Sequence, residues 1–96
     1  MSDVEQYSTV FKALSAPVRL RLLGILPGDD REGALCVCNL AEKLGISQPC
    51  LSHHLNILRC AGLVRFKKDG CSTFYFVDRS YVERQLAGFR KWMVER

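Results

Sequence analysis

The sequence of 96 residues predicts a mainly α-helical domain that carries one β-hairpin. Three observations indicate this class. Apolar residues recur at helical spacing through most of the chain. Residues 64–69 and 71–77 are instead two extended segments joined at Asp69-Gly70, which is a strong hairpin signal. A glycine turn separates two of the helices, and the order helix, helix, helix, tight turn, helix, hairpin, helix predicts a winged helix-turn-helix.

The first two helices are predicted from their apolar spacing and their boundaries. Residues 3–14 carry an amphipathic pattern that places the apolar side chains on one face. Ser15 then has the residue type of an N-cap, with Pro17 in the first turn of a second helix that extends to about residue 26. The stretch after it, residues 27–34, is predicted to be a loop.

Three further helices are predicted in the same way. The third spans about residues 37–44 and ends at Gly45, because glycine accepts the left-handed backbone of a tight helix exit. Ser47 caps the fourth helix, which runs to about Ala61. The last helix follows the hairpin and is indicated by apolar residues at helical spacing: Tyr81, Val82, Leu86, Phe89 and Met93.

Size and composition narrow the class of protein. A chain of 96 residues forms one domain, residues 1–96, of a size that often completes its core by pairing with a second copy. No run approaches the ~18 apolar residues of a membrane span, and the N-terminus lacks the apolar region of a signal peptide. We therefore expect a cytoplasmic homodimer. The five cysteines, an odd number, favour free thiols in a reducing compartment.

The net charge of +4 is unevenly distributed. Residues 1–34 carry four basic and five acidic side chains, whereas residues 35–77 carry five basic and two acidic ones. A basic surplus in the middle of the chain favours nucleic acid or another acidic partner, but it is a weak signal by itself.

Residues 40–64 carry the strongest functional pattern, a helix-turn-helix. On a helical wheel Leu55 and Leu58 fall within about 40° of Leu51, and the opposite face carries Pro49, His53 and Asn56. The N-terminal end of such a helix suits phosphate contact and base reading in the major groove. We therefore predict double-stranded DNA as the partner, contacted by Ser47, Gln48, Ser52, His53 and Asn56.

The hairpin adds basic side chains near its tip. These are Arg65, Lys67 and Lys68. Charges at a wing tip contact phosphate or the minor groove rather than read the base sequence. We therefore include all three residues in the predicted DNA-binding face.

The two histidines of the chain are adjacent. On a helix, neighbouring side chains lie about 100° apart, so the two rings cannot chelate one ion together. We predict that His53 contacts DNA and that His54 is a partly buried packing residue.

Cys36 and Cys38 lie one residue apart, in the stretch LCVCNL at residues 35–40. A disulfide between them is disfavoured, because closing a ring across one residue strains disulfide geometry. Two packing residues, a redox pair or two ligands to a soft ion are the alternatives. On a regular helix the two side chains would lie about 200° apart, whereas on an extended chain they face the same way. Chelation is therefore expected to require extended or unwound backbone.

The chain resembles the ArsR/SmtB family of metal-responsive repressors across nearly its whole length. The resemblance rests on LSAPVRLRLLGIL at residues 14–26, on LCVCNLAEKLGISQPCLSHHLNILRCAGLV at residues 35–64 and on the basic hairpin. It implies a dimeric winged helix that represses by occupying a near-palindromic operator. The first and last helices are implied to form the dimer interface, with Tyr7, Phe11, Leu86 and Phe89.

The resemblance also implies a ligand. A Cys-Val-Cys at this position marks the family's thiolate sensing site, so Cys36 and Cys38 are implied to bind trivalent arsenic or antimony as inducer, or cadmium or lead. No catalytic cofactor is implied. Ala41 stands where arsenic sensors often carry a third cysteine, and Asn39 stands where an acidic residue is common. No histidine lies beyond His54, so a zinc site on the last helix is not expected.

A thiolate site here predicts a switch. If the third helix begins at the cysteine pair, an ion that closes both thiolates should unwind or tilt its first turn and move the recognition helix. The remaining cysteines have lesser predicted roles. Cys60 and Cys71 are expected to be small buried packing residues, and Cys50 a half-exposed one.

Three other functions are compatible with the sequence. The same fold could report oxidation through disulfide or sulfenate chemistry at the thiols. The chain could be a small thiol enzyme, but it has no phosphate-cradling loop and no histidine outside the recognition helix. It could also be a winged helix that binds only protein. We expect a DNA-binding repressor rather than an enzyme.

Overall fold

The computed structural model describes residues 3–28 and 36–95. The helices in these residues are α1 (Asp3–Leu14), α2 (Pro17–Ile25), α3 (Val37–Leu44), α4 (Gln48–Cys60) and α5 (Arg79–Val94). β1 (Val64–Asp69) and β2 (Ser72–Val77) form an antiparallel hairpin between α4 and α5. This is the predicted winged helix-turn-helix, with the hairpin as the wing. Most of the predicted loop at residues 27–34 lies outside the described residues.

The hydrophobic core is built around α4. Leu51, Leu55 and Leu58 form the buried face of this helix. Leu22 of α2 and Leu40 of α3 are fully buried in the same cluster. Burying a leucine side chain contributes about 1.5–3 kcal/mol relative to leaving it exposed. The leucine stripe therefore determines which face of α4 points outward.

The start of α2 differs from the sequence prediction. Ala16, not Ser15, occupies the N-cap position, and it makes no side-chain capping bond. The Ser15 hydroxyl instead donates to the carbonyl oxygen of Lys12 (2.8 Å) at the end of α1. The prediction of Ser15 as the N-cap was therefore wrong, because this hydroxyl serves the preceding helix. Pro17 is the first residue of α2, as its fixed φ favours.

The hairpin turn lies one residue later than predicted. Asp69 still pairs with Ser72, so Gly70 and Cys71 are the two turn residues. Gly70 has a φ of +62°, and within the described ranges a positive φ occurs only at glycines. This fits a two-residue turn with glycine in its first central position. β1 thus has its predicted bounds, whereas Cys71, predicted to begin the second strand, belongs to the turn.

The helices α1 and α5 pack against each other within one chain. The Phe89 ring lies 4.6 Å from the Phe11 ring and 5.3 Å from the Tyr7 ring, centroid to centroid. Beside these rings, Gln6 Nε2 donates to Oε1 of the buried Gln85 (2.8 Å). The amphipathic last helix is as predicted. Over residues 3–28 and 36–95, none of the helices is long and apolar enough to cross a membrane.

Candidate DNA-binding face and thiol pair

The outward face of α4 is polar and accessible. The helix begins at Ser47, whose Oγ accepts a hydrogen bond from the backbone N–H of Cys50 (3.2 Å), and this confirms the predicted cap. Because the leucine stripe faces the core, the other side of the helix is open to solvent. All of the α4 residues predicted to contact DNA are exposed: Ser47, Gln48, Ser52, His53 and Asn56.

The C-terminal half of this face contains a cation that the sequence analysis did not include. Arg59 is exposed, and its Nη2 donates to Oδ1 of Asn56 (2.8 Å). The bond orients the Asn56 amide and brings a guanidinium next to it. The signal for Arg59 was its spacing, three residues after Asn56, which places both side chains on one helix face.

His54 is half-buried, as predicted, and is linked to two other helices. Its Nδ1 lies 3.1 Å from Nη1 of Arg19, which also donates to the carbonyl oxygens of Ala13 (2.6 Å) and Lys12 (3.1 Å). A guanidinium has only donors, so Nδ1 accepts and the ring proton lies on Nε2. Burial, followed by the charges of Arg19 and His53, lowers the pKa of His54 below its usual value. Arg19 thus joins α1, α2 and α4, a contact that sequence reasoning missed.

The wing presents its basic residues on the exposed strand β1. Arg65, Lys67 and Lys68 are all exposed. The strand register places Lys67 opposite Phe74 and Lys68 opposite Thr73. Successive side chains of a strand point to opposite faces, so the two lysines extend from different faces of the wing. The wing can therefore place positive charge on both of its sides.

Cys36 and Cys38 converge at the start of α3. Cys36 is the N-cap, with extended backbone (φ −71°, ψ 164°), and Cys38 lies in the first turn. Their sulfurs are 2.9 Å apart and both thiols are free, since a disulfide bond would be about 2.05 Å long. The change from extended to helical backbone brings the side chains together. Unwinding of α3 is therefore not needed to pair the sulfurs, in contrast to the switch expected from the sequence.

The two thiols differ in acidity. A hydrogen bond with the Cys38 thiol lowers the pKa of Cys36, and the nearby backbone N–H of Asn39 acts in the same direction without forming a capping hydrogen bond. The same side-chain hydrogen bond raises the pKa of Cys38, with burial and the charge of Cys36 acting in the same direction. The two groups titrate as a pair. Loss of the first proton from the pair therefore leaves a thiolate that the remaining thiol stabilises.

The thiol pair is connected to both parts of the DNA-binding face. Cys36 forms an isolated antiparallel β-bridge with Phe74 of the wing. Further along α3, Leu40 and Ala41 are buried in the core that also holds α4. A change at the pair can thus reach the wing through the bridge or α4 through the core.

The remaining cysteines do not join the pair. All five cysteines and both histidines belong to the described residues, and no cluster of three or more His, Cys, Asp or Glu side chains suited to a metal ion occurs among those residues. Cys50, Cys60 and Cys71 are exposed. The expectation of buried Cys60 and Cys71 was wrong: Cys60 is the last residue of α4, beyond the buried stripe, and Cys71 is in the hairpin turn.

The four residues implied for a dimer interface fall into two groups. Tyr7 and Phe11 contact Phe89 within one chain. Leu86 is 47% exposed, and together with Val82 it lines an open, mainly apolar groove on α5. Of the four, Leu86 is the one that is exposed, whereas the other three are half-buried.

The fold and the polar face of α4 are those of a winged-helix, DNA-binding transcriptional regulator rather than an enzyme. The sequence model described as "bacterial regulatory protein, arsR family" matches residues 16–65. The chain belongs to this family.

Several other transcriptional regulators are similar to this chain. An uncharacterized HTH-type transcriptional regulator of Methanocaldococcus jannaschii is 40% identical over 77 residues, which are 80% of this chain and 83% of that protein. A homolog of the cadmium resistance regulatory protein CadC from Staphylococcus aureus is 36% identical over 78% of this chain but only 60% of its own length. The arsenical resistance operon repressor of Staphylococcus xylosus is 37% identical over 82% of this chain and 72% of that protein.

A solved structure confirms the architecture. An ArsR-like transcriptional regulator from Rhodococcus sp. RHA1 superimposes with a TM-score of 0.81 and 25% identity, over 95% of this chain and 80% of that one. The relatives named above include both a cadmium and an arsenical regulator. The family therefore identifies a DNA-binding regulator and does not by itself distinguish the ion.

Proposed function

We propose that the chain is a transcriptional repressor that releases its operator DNA when trivalent arsenic or antimony binds Cys36 and Cys38. The observation that carries the proposal is the 2.9 Å separation of the two sulfurs at the start of α3. Thiolates prefer soft ions to magnesium or calcium. Cys36 is half-buried and Cys38 is exposed, so an ion can reach the pair from solvent.

The binding step conserves the oxidation state of arsenic. Arsenous acid, As(OH)3, exchanges two of its hydroxyls for the two thiols: two As–S bonds form, two As–O bonds break, and two waters leave. The lowered pKa of Cys36 favours the first exchange, because the thiolate is the nucleophile. The third position of arsenic keeps its hydroxyl or takes a thiol from outside the chain.

The third position has a testable consequence. A monosubstituted arsenical such as phenylarsine oxide has two exchangeable positions on arsenic and needs no further ligand. With purified protein and no added small thiol, it should release DNA at a lower concentration than arsenite does. An equal response to both compounds would instead show that a third protein thiol, such as one from a second copy, completes the site for arsenite.

The DNA-binding part of the proposal uses the exposed face of α4 in the major groove and the wing on the phosphates. Ser52 and His53 lie near the N-terminal end of the helix, where side chains of a recognition helix reach base edges. Lys67 and Lys68 suit phosphate contacts, which do not depend on base sequence. Two copies related by a two-fold axis would then bind a near-palindromic operator.

The homodimer is proposed to form through α1 and α5. Leu86, Met93 and Val94 are 47%, 43% and 65% exposed on α5, and a second copy would remove this apolar surface from water. Leu86→Glu should give a monomer or an unfolded chain, because it would bury an unpaired charge in the interface. Ser80→Glu, at an exposed position on the same helix, is the matched control. A folded, dimeric Leu86→Glu protein by light scattering contradicts this arrangement.

The proposed inducer is tested by operator release. A labelled duplex selected from a random pool by the protein itself is followed by fluorescence anisotropy while arsenite, antimonite, cadmium or zinc is added under a non-thiol reductant. Arsenite and antimonite should raise the apparent Kd, and zinc should have the least effect. An unchanged Kd with arsenite and antimonite, together with release by cadmium, would assign the site to a divalent soft ion instead.

Oxidation is the second candidate signal. The lowered pKa of Cys36 and the 2.9 Å sulfur separation also favour reaction of the pair with peroxide. In the same assay, release by peroxide that a reductant reverses, without release by arsenite, would support a redox repressor and contradict the arsenic proposal.

A further inference from the structure

A row of three residues connects the thiol pair to the DNA-binding wing. Cys36 is bridged to Phe74 of β2, and Phe74 is paired with Lys67 of β1. The wing is therefore a two-stranded sheet with Cys36 as a third partner at its edge. The residue that holds one sulfur of the pair is thus part of the support of a basic DNA-contacting strand.

We propose that an ion bound by Cys36 and Cys38 acts on DNA affinity by shifting the wing through the Cys36–Phe74 bridge. This inference rests on the proposed function, because it assigns the route by which the same site lowers affinity. It replaces the expected route through an unwound α3 and a displaced recognition helix.

An ion bound by both thiolates replaces the contact between the two sulfurs with a separation set by its own bonds. Two thiolates bonded to one ion at about 2.3 Å, the length of a zinc–thiolate bond, stand roughly 3.3 to 3.8 Å apart for ordinary bond angles. The sulfurs of the free protein are 2.9 Å apart. Cys38 lies within α3, whose Leu40 and Ala41 are 0% and 4% exposed in the core. Cys36 precedes the first turn, so the displacement falls mainly on Cys36 and on the backbone bridged to the wing.

Among the described residues, the other supports of the wing lie at or near its base, where Val64 and Val77 are buried in the core and Tyr75 packs against it. A two-stranded hairpin is marginally stable alone, so its orientation depends on contacts with the body of the protein. At its base the N–H of Val77 donates to the carbonyl oxygen of Pro27 (2.8 Å), and the N–H of Asp78 donates to that of Leu63 (3.0 Å). The bridge at Phe74 lies three residues closer to the tip than Val77. A shift of Cys36 therefore acts on the part of the wing that carries Lys67 and Lys68.

The recognition helix is held more firmly than the wing. Leu51, Leu55 and Leu58 are at most 1% exposed, and close-packed cores resist small displacements. Loss of wing contacts should therefore remove phosphate interactions and leave base reading in place. The slope of log K against log salt concentration is negative, and each lost phosphate contact reduces its magnitude by about 0.9. The liganded protein should keep its sequence preference but bind more weakly and with a shallower salt dependence.

A double-mutant comparison tests the route. The ratio of Kd with and without arsenite is measured for the wild-type chain, for Lys67→Ala with Lys68→Ala, and for Lys91→Ala, an exposed cation on α5. Low salt keeps binding by the wing variant measurable. If the ion acts on wing contacts, the ratio should fall toward one in the wing variant and stay at the wild-type value in Lys91→Ala. The same ratio in the wing variant as in wild type overturns the inference, whereas a wild-type ratio of one contradicts the proposed function itself.

A measurement without DNA gives an independent result if the wing variant binds too weakly. Backbone amide resonances of the wild-type protein are followed by NMR during arsenite addition. The amide resonances of Phe74 and Lys67 should shift in the same step of the titration as the resonances of Cys36 and Cys38. The amide resonances of Ser52 and His53 should shift least. Large shifts along α4 with unchanged wing resonances would overturn the inference and favour transmission through the core.

Discussion

Helices α3 and α4 begin with almost the same backbone and use it for different purposes. Ser47 before α4 has φ −70° and ψ 156°, and Cys36 before α3 has φ −71° and ψ 164°. The Ser47 hydroxyl accepts from a backbone N–H of its helix, whereas Cys36 makes no side-chain capping bond and its sulfur lies against that of Cys38. The comparison shows that one local geometry either caps a helix or brings two thiols together, depending on the atom at the γ position.

The largest expected effects are on the free energy of unfolding. They test whether α3 is packed into the core as firmly as α4. Leu40→Ala in α3 and Leu55→Ala in α4 each remove a side chain that is at most 1% exposed. Each should lower the free energy of unfolding by about 2–5 kcal/mol, through lost burial and the cavity left behind. Urea denaturation at one fixed protein concentration measures this, with exposed Ser8→Ala as control. A much smaller loss for Leu40→Ala would show that α3 is loosely held and could itself move.

The next largest expected effect is on operator affinity, which should depend on the outward face of α4 and not on the start of α3. Ser52→Ala and His53→Ala should weaken operator binding, by about 1–3 kcal/mol for a side chain that reads a base, without changing stability. Cys36→Ser should leave the affinity of the free protein nearly unchanged. Anisotropy of the labelled operator measures all three variants. Wild-type affinity in both α4 variants would remove that face from the DNA interface.

A smaller effect on stability is expected when the two N-cap residues are replaced. Ser47→Ala removes a capping hydrogen bond and should cost about 0.5–2 kcal/mol of stability. Cys36→Ser should be neutral or stabilising, because a serine hydroxyl can cap the α3 terminus that cysteine leaves without a side-chain bond. Thermal unfolding of both variants provides the test. Destabilisation by Cys36→Ser similar to that of Ser47→Ala would mean that the sulfur has a structural role.

The smallest effect concerns thiol reactivity. The hydrogen bond from Cys38 lowers the pKa of Cys36, so folding favours its thiolate at pH values between the folded and the ordinary pKa. In that window Cys36 should react with iodoacetamide faster in the wild-type chain than in Cys38→Ala, and its rate should level off at a lower pH. Cys38→Ala should move this profile back toward that of an ordinary cysteine, whereas Cys60→Ala should not. Mass spectrometry of alkylated peptides gives the rates, and identical profiles in all variants would contradict the pairing.

Sequence periodicity predicted the parts of the structure that depend on burial. The leucine stripe of α4 follows directly from residues three and four apart, and it also identified the exposed face with Ser52 and His53. The Ser47 cap and the Gly45 exit were predicted because few residue types suit those positions. The order of the helices and strands was then sufficient to predict the winged-helix fold, without knowledge of any contact between distant residues.

Features that depend on tertiary contacts were not predictable in the same way. Ser15 has the residue type of a cap, but its hydroxyl donates to Lys12, and residue type alone does not distinguish the two. The contact between Arg19 and His54 joins positions 35 residues apart. Cys60 and Cys71 are exposed because one ends a helix and the other forms a turn, and a preference of cysteine for burial says nothing about either position. The start of α3 was predicted at residue 37, but the sequence analysis treated the cysteine pair as either wholly helical or wholly extended, whereas the structure places Cys36 before the helix and Cys38 within it.

The most direct test of the central claim is arsenite-driven release of labelled operator DNA by single cysteine variants. Cys36→Ser and Cys38→Ser each keep the size of the side chain and remove one thiolate, and Cys50→Ser, an exposed thiol outside the pair, is the matched control. Under a non-thiol reductant, both variants of the pair should bind operator with wild-type affinity and fail to release it when arsenite is added, while Cys50→Ser should release it normally. Normal arsenite-driven release by both Cys36→Ser and Cys38→Ser would contradict the account, and the pair would then be two ordinary residues at the start of a helix.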